Sequence, residues 1–324
     1  MNRRHFLKNS AQFVVALSAA NLIYSEVIDF LQADPQPFFR LSLAQWSLHR
    51  AMMETKTLNP IDFASTAKSL GFEGLEYVSA LYTLEQGNQI QGAAKLAKEL
   101  RQRSVDNDMT NVLIMVDGEG ELAALDKKER DTAIDNHKKW VDAAAEMRCH
   151  SIRVNLFGAG AEKDFKVWKE TSIDGLGRLA AFAAQSEINV IVENHGGLSS
   201  DISKLTEVFE AIGLKNCGAL PDFGNFCVKR RDGDRWASPC IEIYDKYKGV
   251  SELMPFAKGV SAKSYDFDTD GNETTIDYVK MLQIVKSAGC KGFIGVEYEG
   301  SRLGEIDGIL ATKALLLRAA SQLK

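Results

Sequence analysis

From Arg40 onward the chain alternates short apolar or β-branched runs with longer stretches of helical periodicity, and it does so eight times. The strand candidates are Leu41–Leu48, Gly74–Ser79, Asn111–Val116, Ser151–Phe157, Asn189–His195, Cys217–Phe223, Gly259–Ser264 and Gly292–Glu299. Val190-Ile191-Val192 has the unbroken apolar character of a strand buried on both faces. Spread over residues 40–324, the pattern allots about 36 residues to each unit, room for a strand, a helix and two connections. Helix punctuation agrees. Asn59-Pro60 opens the first helix and Gly71 closes it. Ser200 and Asp201 open another, in which Leu205, Val208, Phe209 and Ile212 fall at i, i+3, i+4 and i+7 before Gly213. An open doubly wound sheet would also alternate, but it would carry a glycine-rich phosphate loop after an early strand. Gly118 and Gly120 stand alone, and neither G-x-G-x-x-G nor G-x-x-x-x-G-K-[ST] occurs. The expectation is an α/β protein built as a single (β/α)8 barrel over residues 34–324.

Residues 1–33 are set apart. Asn2-Arg3-Arg4-His5-Phe6-Leu7-Lys8 precede an uncharged stretch from Asn9 to Ser25, which resembles a twin-arginine export signal. The stretch is shorter than the roughly 18 to 20 apolar residues that span a bilayer, so no integral membrane domain is expected beyond it. This implies export to a bacterial periplasm. Lys and Arg number 39 against 44 Asp and Glu, a net charge of −5, and no long basic tract occurs. A nucleic-acid partner is therefore not expected, and a small molecule is. An odd number of cysteines, Cys149, Cys217, Cys227, Cys240 and Cys290, follows no C-x-x-C spacing. Cys227 and Cys240 lie near enough in one loop for a disulfide, but idle thiols are the expectation. A homo-oligomer is left open.

In such a barrel the reacting groups sit at the C-terminal ends of the strands. There the sequence places Gln45 and His49, Glu76, Asn155, Glu193 and His195, Asp222 and Asn225, Ser261 and Lys263, and Glu297 and Glu299. Glu193, Asp222 and Glu297 each follow three apolar or small residues. A partly desolvated carboxylate takes up a proton, pairs with a base or binds a cation. Three that converge repel one another, and one divalent ion is the simplest compensation. Oxygen ligands suit Mg²⁺ or Mn²⁺, with Co²⁺ or Zn²⁺ as alternatives.

Five segments carry a family resemblance: Leu43-Ala44-Gln45-Trp46-Ser47-Leu48, Gly71-Phe72-Glu73-Gly74-Leu75-Glu76-Tyr77, Val192-Glu193-Asn194-His195-Gly196-Gly197, Pro221-Asp222-Phe223-Gly224-Asn225-Phe226 and Gly295-Val296-Glu297-Tyr298. They resemble the sugar phosphate isomerase/epimerase superfamily with its xylose-isomerase-like barrel. The resemblance implies that Glu193, Asp222 and Glu297, with a histidine from the seventh strand, hold one divalent metal, and that the two glutamates move protons. Two histidines of the pattern are missing. Ser261 stands at the seventh-strand position, in Ser261-Ala262-Lys263-Ser264, and Asn225 stands three residues after Asp222. Ser261 thus becomes a fourth ligand candidate, and Lys263 joins Glu193 and Glu297 as a catalytic candidate. Gln45, His49, Glu76, Asn155, His195 and Asn225 are candidates for contact with substrate. His137 and His150 read as structural. The long connection from Gly224 to Ser238 carries Lys229, Arg230, Arg231, Arg235 and Trp236, with Asp232 and Asp234 as internal partners, and reads as a lid or an oligomer contact. Trp46, Tyr77, Tyr82 and Trp236 either stack on a sugar ring or simply pack.

The chemistry implied is proton transfer next to a carbonyl, by an isomerase or epimerase acting on a sugar or keto-sugar. Export favours a non-phosphorylated substrate. With a 3-keto-glycoside the same abstraction ends in β-elimination, which would make the enzyme a lyase. The missing histidines admit a non-catalytic carbohydrate-binding barrel. Phosphodiester cleavage of the endonuclease IV type requires a histidine-rich zinc cluster that this chain does not supply.

Overall fold

All eight strand candidates lie in one parallel sheet. A computed structural model describes residues 37–85, 87–233 and 236–323. Its strands are β1 (Arg40–Ala44), β2 (Gly74–Val78), β3 (Thr110–Val116), β4 (Ser151–Val154), β5 (Asn189–Glu193), β6 (Cys217–Leu220), β9 (Val260–Ser264) and β10 (Phe293–Tyr298). They are hydrogen-bonded in the order β6-β5-β4-β3-β2-β1-β10-β9. Parallel bridges Ala219↔Ala257 and Asp222↔Ser261 join β6 to β9 and close the cylinder. The (β/α)8 barrel is thus present. Helices α1 (Phe63–Ser69), α2 (Gln89–Asp106), α3 (Lys127–Met147), α4 (Phe165–Ala183), α5 (Ile202–Ile212), α6 (Lys246–Leu253), α7 (Tyr278–Ser287) and α8 (Glu305–Ser321) follow the barrel strands in turn. Asn88, Asp126, Asp164, Asp245 and Asp277 cap helix N-termini with their side chains. Gly213 ends α5 at φ +63°, a left-handed turn that glycine enters without strain.

Several strands stop short of their sequence bounds at the C-terminal end. Gln45–Leu48 wind into a 3₁₀ turn after β1, β4 ends at Val154, and β6 ends at Leu220 because Pro221 has no N–H for the ladder. The polar residues therefore lie at or beyond the rim, where the chain turns outward.

Strand alternation sorts the interior. Val190 and Val192 pack with the large cluster formed between sheet and helices, whereas Ile191 belongs to a second cluster with Ala44, Val78, Leu113, Met115 and Leu220. Continued by steps of two, this second face carries Ser42, Glu76, Arg153, Glu193, Asp222, Ser261, Lys263 and Glu297.

The connection after β6 is more ordered than its sequence suggests. It holds an antiparallel hairpin, β7 (Cys227–Arg230) with β8 (Cys240–Ile243), and Cys227 and Cys240 form a disulfide. The expectation of idle thiols is corrected for this pair, because hairpin pairing brings their Cα atoms to 5.9 Å. Cys149, Cys217 and Cys290 are free thiols. Among the described residues no helix is long and apolar enough to cross a membrane. The expected export segment, residues 1–33, lies outside the described residues, as do Asp234 and Arg235.

Candidate metal and proton-transfer site

Glu193 ends β5, Asp222 lies two residues past β6, and Glu297 sits in β10. All three are buried, and each offers one carboxylate oxygen within 4.8 Å of the others. Asn194 braces the centre: its Oδ1 accepts from the Asp222 N–H (2.8 Å), and its Nδ2 donates to the carbonyls of Asp222 and Asn225. Asp222 Oδ1 accepts from the N–H groups of Gly224 and Asn225, both at 2.8 Å. Asn225 Nδ2 donates to Glu193 Oε1 at 3.0 Å. Where the family pattern has imidazole, Asn225 and Ser261 supply short hydrogen-bonding groups.

Two buried cations flank the triad. Lys263 Nζ lies 3.1 Å from Glu297 Oε1 and 3.0 Å from Glu299 Oε2. Arg153 Nε lies 3.0 Å from Glu193 Oε2, and its Nη1 donates to Asp117 Oδ1 at 2.9 Å. Burial pushes Asp222 up to about 8, repulsion from Glu193 and Glu297 adding to it and Lys263 opposing it. Burial also raises Glu297, against the pull of Lys263. Lys263 is held well above its ordinary range, because the surrounding carboxylates outweigh its burial.

Two observations bear on whether these residues could hold a cation. First, Ser261 Oγ lies 2.7 Å from Asp222 Oδ2 and 2.9 Å from Glu297 Oε2. A hydroxyl carries one proton and can donate to only one of them, so closing that contact takes an extra proton or a cation. Second, Glu193 Oε2 is buried with no aligned hydrogen bond despite the nearby guanidinium. Six carboxyl groups (Glu76, Asp117, Glu193, Asp222, Glu297 and Glu299) surround two buried cations, Arg153 and Lys263, and burial raises Glu76, Asp222 and Glu297 toward the protonated form. Glu193, Asp222, Glu297 and Ser261 form an all-oxygen donor set.

Beside the triad runs a second network. Asn155 Nδ2 donates to Asp117 Oδ1 (2.7 Å), which orients the amide so that its Oδ1 accepts from His195 Nδ1–H (2.7 Å). His195 Nε2 is left as an acceptor. Burial, with the charges of Arg153 and Lys263, pushes His195 down to about 4 and keeps it neutral. Glu299 accepts from the Trp46 indole N–H and from Lys263, and the Lys263 ammonium outweighs burial to hold it below its ordinary value.

The remaining candidates make contacts of their own. Gln45 is fully buried; its amide nitrogen donates to Tyr82 and to the Pro60 carbonyl, and its oxygen accepts from Val78 N–H. His49 stacks on Trp46, bonds the Trp46 carbonyl and stands 3.9 Å from Glu305. Glu76 accepts from Ser42 at 2.6 Å within the barrel, and burial drives it up to about 8. A Cβ on Gly295 would fall 2.4 Å from the Glu76 carboxylate, so glycine is needed there to admit it. Tyr77 is buried, with its hydroxyl on Asn111. His137 is buried on α3 and bonds the Ala133 carbonyl, and His150 contacts Ser151. Sequence reasoning missed Arg153 and Asp117. The signal for Arg153 was available: a lone base in the apolar run of β4, on the same inward face that carries Glu193 in β5.

Residues 64–320 match the family model described as xylose isomerase-like TIM barrel. The chain belongs to this family. Its barrel is similar to those of several solved structures. The 3-keto-D-glucoside 4-epimerase of E. coli superposes with a TM-score of 0.64 at 12% identity, over 87% of this chain and 99% of that one. D-Psicose 3-epimerase of Clostridium cellulolyticum H10, solved with D-tagatose, gives 0.60 at 13% identity, over 87% and 96%. A xylose isomerase-like barrel protein of Mycobacterium smegmatis, solved with magnesium, gives 0.58 at 14%, over 87% and 96%. Identities this low establish the shared barrel and nothing finer. A search of curated proteins finds no match to the chain.

Proposed function

We propose that this family member is a divalent-metal-dependent isomerase or epimerase that moves a proton at the carbon next to the carbonyl of a non-phosphorylated sugar or keto-sugar. The convergence of three buried carboxylate oxygens within 4.8 Å carries the reading. Glu193, Asp222 and Glu297 would hold the ion, with Ser261 as the fourth protein oxygen. Bound there, Mn²⁺ or Mg²⁺ would supply charge stabilisation for the substrate oxygens as negative charge develops on them. Glu193, held by Asn225 at Oε1 and ion-paired with Arg153 at Oε2, takes the proton from carbon, leaving an enediolate. Glu297, whose carboxyl is raised by burial, returns a proton. Return to the opposite face of the same carbon gives epimerisation, and return to the neighbouring carbon gives aldose–ketose isomerisation. Lys263, bridging Glu297 and Glu299, orients Glu297 and offsets the charge left on it. The sugar-epimerase neighbours support a small carbohydrate substrate. The twin-arginine pattern in residues 1–33, with a disulfide of the kind that persists in oxidising compartments, supports export to the periplasm and hence the non-phosphorylated substrate.

The test is NMR in deuterated water with Mn²⁺- or Mg²⁺-loaded protein and a panel of free sugars and 3-keto-glycosides, metal removal by chelator being the control. Deuterium appearing at the carbon next to the carbonyl, and lost in Glu193→Gln, supports the proposal. Aglycone release would assign β-elimination in its place. No exchange with any sugar in metal-replete protein overturns it.

A further inference from the structure

Asp117, the first residue past β3, is held from three directions. Its N–H donates to the buried Ser79 hydroxyl at 3.0 Å, which pins the backbone to the end of β2. Its Oδ1 accepts from Arg153 Nη1 at 2.9 Å and from Asn155 Nδ2 at 2.7 Å, one donor in β4 and one just past it. Neutralising Arg153 and steadying Asn155 thus consume one oxygen only. Oδ2 takes no hydrogen bond from the described residues, and it is not sealed from solvent as the unpartnered Glu76 Oε2 and Glu193 Oε2 are. The side chain is 28% exposed, against 5% for Arg153 and 1% for Glu193. The charges therefore run outward, with Glu193 inside, Arg153 between and Asp117 at the barrel mouth. Arg153 touches both carboxylates through one planar group, its Nε lying 3.0 Å from Glu193 Oε2, so a single sugar ring placed at Glu193 reaches Asp117. Burial pushes the Asp117 carboxyl up, but the Arg153 guanidinium outweighs it and holds the group below its ordinary range.

We propose that Asp117 is a substrate-binding residue whose Oδ2 accepts a hydrogen bond from a sugar hydroxyl, at a carbon other than those that exchange protons, and so selects substrates in which that hydroxyl is free. The inference rests on the sugar chemistry proposed for Glu193 and Glu297 and adds a specificity determinant to it. Because two donors fix Oδ1, the direction of Oδ2 is set before a substrate arrives. An ionised carboxylate oxygen accepts and cannot donate. A hydroxyl satisfies it. A deoxy carbon leaves it unpaired once water is displaced, and a phosphate or carboxylate on the same carbon meets like charge.

Deoxy scanning of sugar binding tests this without requiring turnover. D-Glucose, D-galactose and D-fructose are titrated by calorimetry into full-length, Mg²⁺-loaded protein, followed by the single-deoxy derivatives of whichever binds most tightly. One derivative should bind wild type roughly tenfold or more weakly, the cost of removing a hydrogen bond to a charged group. Asp117→Asn keeps an oxygen for Arg153 and Asn155 and puts NH₂ in place of Oδ2. In it the same deletion should cost no more than about threefold. A role confined to steadying Arg153 would weaken every derivative alike and leave the pattern of penalties unchanged. Circular dichroism melting checks the fold of the variant, and Asp117→Ala repeats the cycle with no polar atom left to meet the hydroxyl. Binding of none of the three sugars, no derivative that stands out, or a deoxy penalty equal in wild type and variant overturns the inference. A hydroxyl coupled to Asp117 without deuterium exchange on any sugar would sink the proton-transfer reading alone, and exchange with no coupled hydroxyl would sink this inference alone.

Discussion

Replacing Glu76 by Gln should stabilise the metal-free protein at neutral pH and do so progressively less as the solution is acidified. Glu76 is 2% exposed, its Oε1 accepts from Ser42, its Oε2 has no hydrogen-bond partner, and burial raises the carboxyl from 4.5 to about 8. Below pH 4.5 both the folded and the unfolded chain hold the proton, and ionisation imposes no penalty. As pH rises from 4.5 to 8 only the unfolded chain releases it, so stability falls by about 1.4 kcal/mol per pH unit. At pH 7 the loss amounts to roughly 3 kcal/mol, and above pH 8 to roughly 5. Glutamine cannot ionise and keeps an acceptor for Ser42, while its buried NH₂ costs about 1–3 kcal/mol at every pH. The signature is therefore the difference in slope. Urea unfolding of chelator-treated wild type and Glu76→Gln at pH 5, 6, 7 and 8 should give a stability gap that grows in favour of the variant by about 1 kcal/mol or more per pH unit up to pH 7. Parallel pH dependences would refute the assignment of Glu76 as a buried neutral acid.

Other expectations follow from the same geometry. Glu193→Gln and Glu297→Gln, assayed in excess Mn²⁺, should each slow deuterium exchange on substrate by about 10²- to 10⁴-fold. Ser261→His adds an imidazole to an all-oxygen site, so competition against a zinc-responsive chelator dye should show Zn²⁺ gaining at least about tenfold over Mg²⁺; an unchanged ratio would remove Ser261 from the ligand set. Cys227→Ser with Cys240→Ser releases a cross-link of sequence separation 13, on the order of 3 kcal/mol of chain-entropy stabilisation. Hydrogen exchange should accelerate across residues 227–243 and remain unchanged in the barrel strands.

The barrel was legible because its determinants are local: apolar runs of strand length, capped helices between them, and a steady repeat. The triad was legible for a related reason. A carboxylate directly after an apolar run stands out, and Glu193, Asp222 and Glu297 each do so. What was not legible depends on partners distant in sequence. Gln45 and Glu76 stand at strand ends in the sequence, but only the fold shows the Gln45 amide spent on Tyr82, Pro60 and Val78, and Glu76 sealed against Gly295. The pairing of Cys227 with Cys240 required the hairpin, whose strands are short and whose β8 carries exposed Ile241 and Ile243, with no buried face to give it a strand signature. Arg153 lies inside an apolar run and not at its end, so only the inward face it shares with Ile191 and Glu193 marks it.

Metal stoichiometry tests the central claim most directly. Protein stripped with chelator, exposed to Mn²⁺ and dialysed should retain about one ion per chain by elemental analysis, because Glu193, Asp222 and Glu297 each offer an oxygen within 4.8 Å of the others. Asp222→Asn, with the Asn194 brace intact, should retain almost none. Wild-type protein that binds no ion, or a variant that binds as much as wild type, would contradict the account.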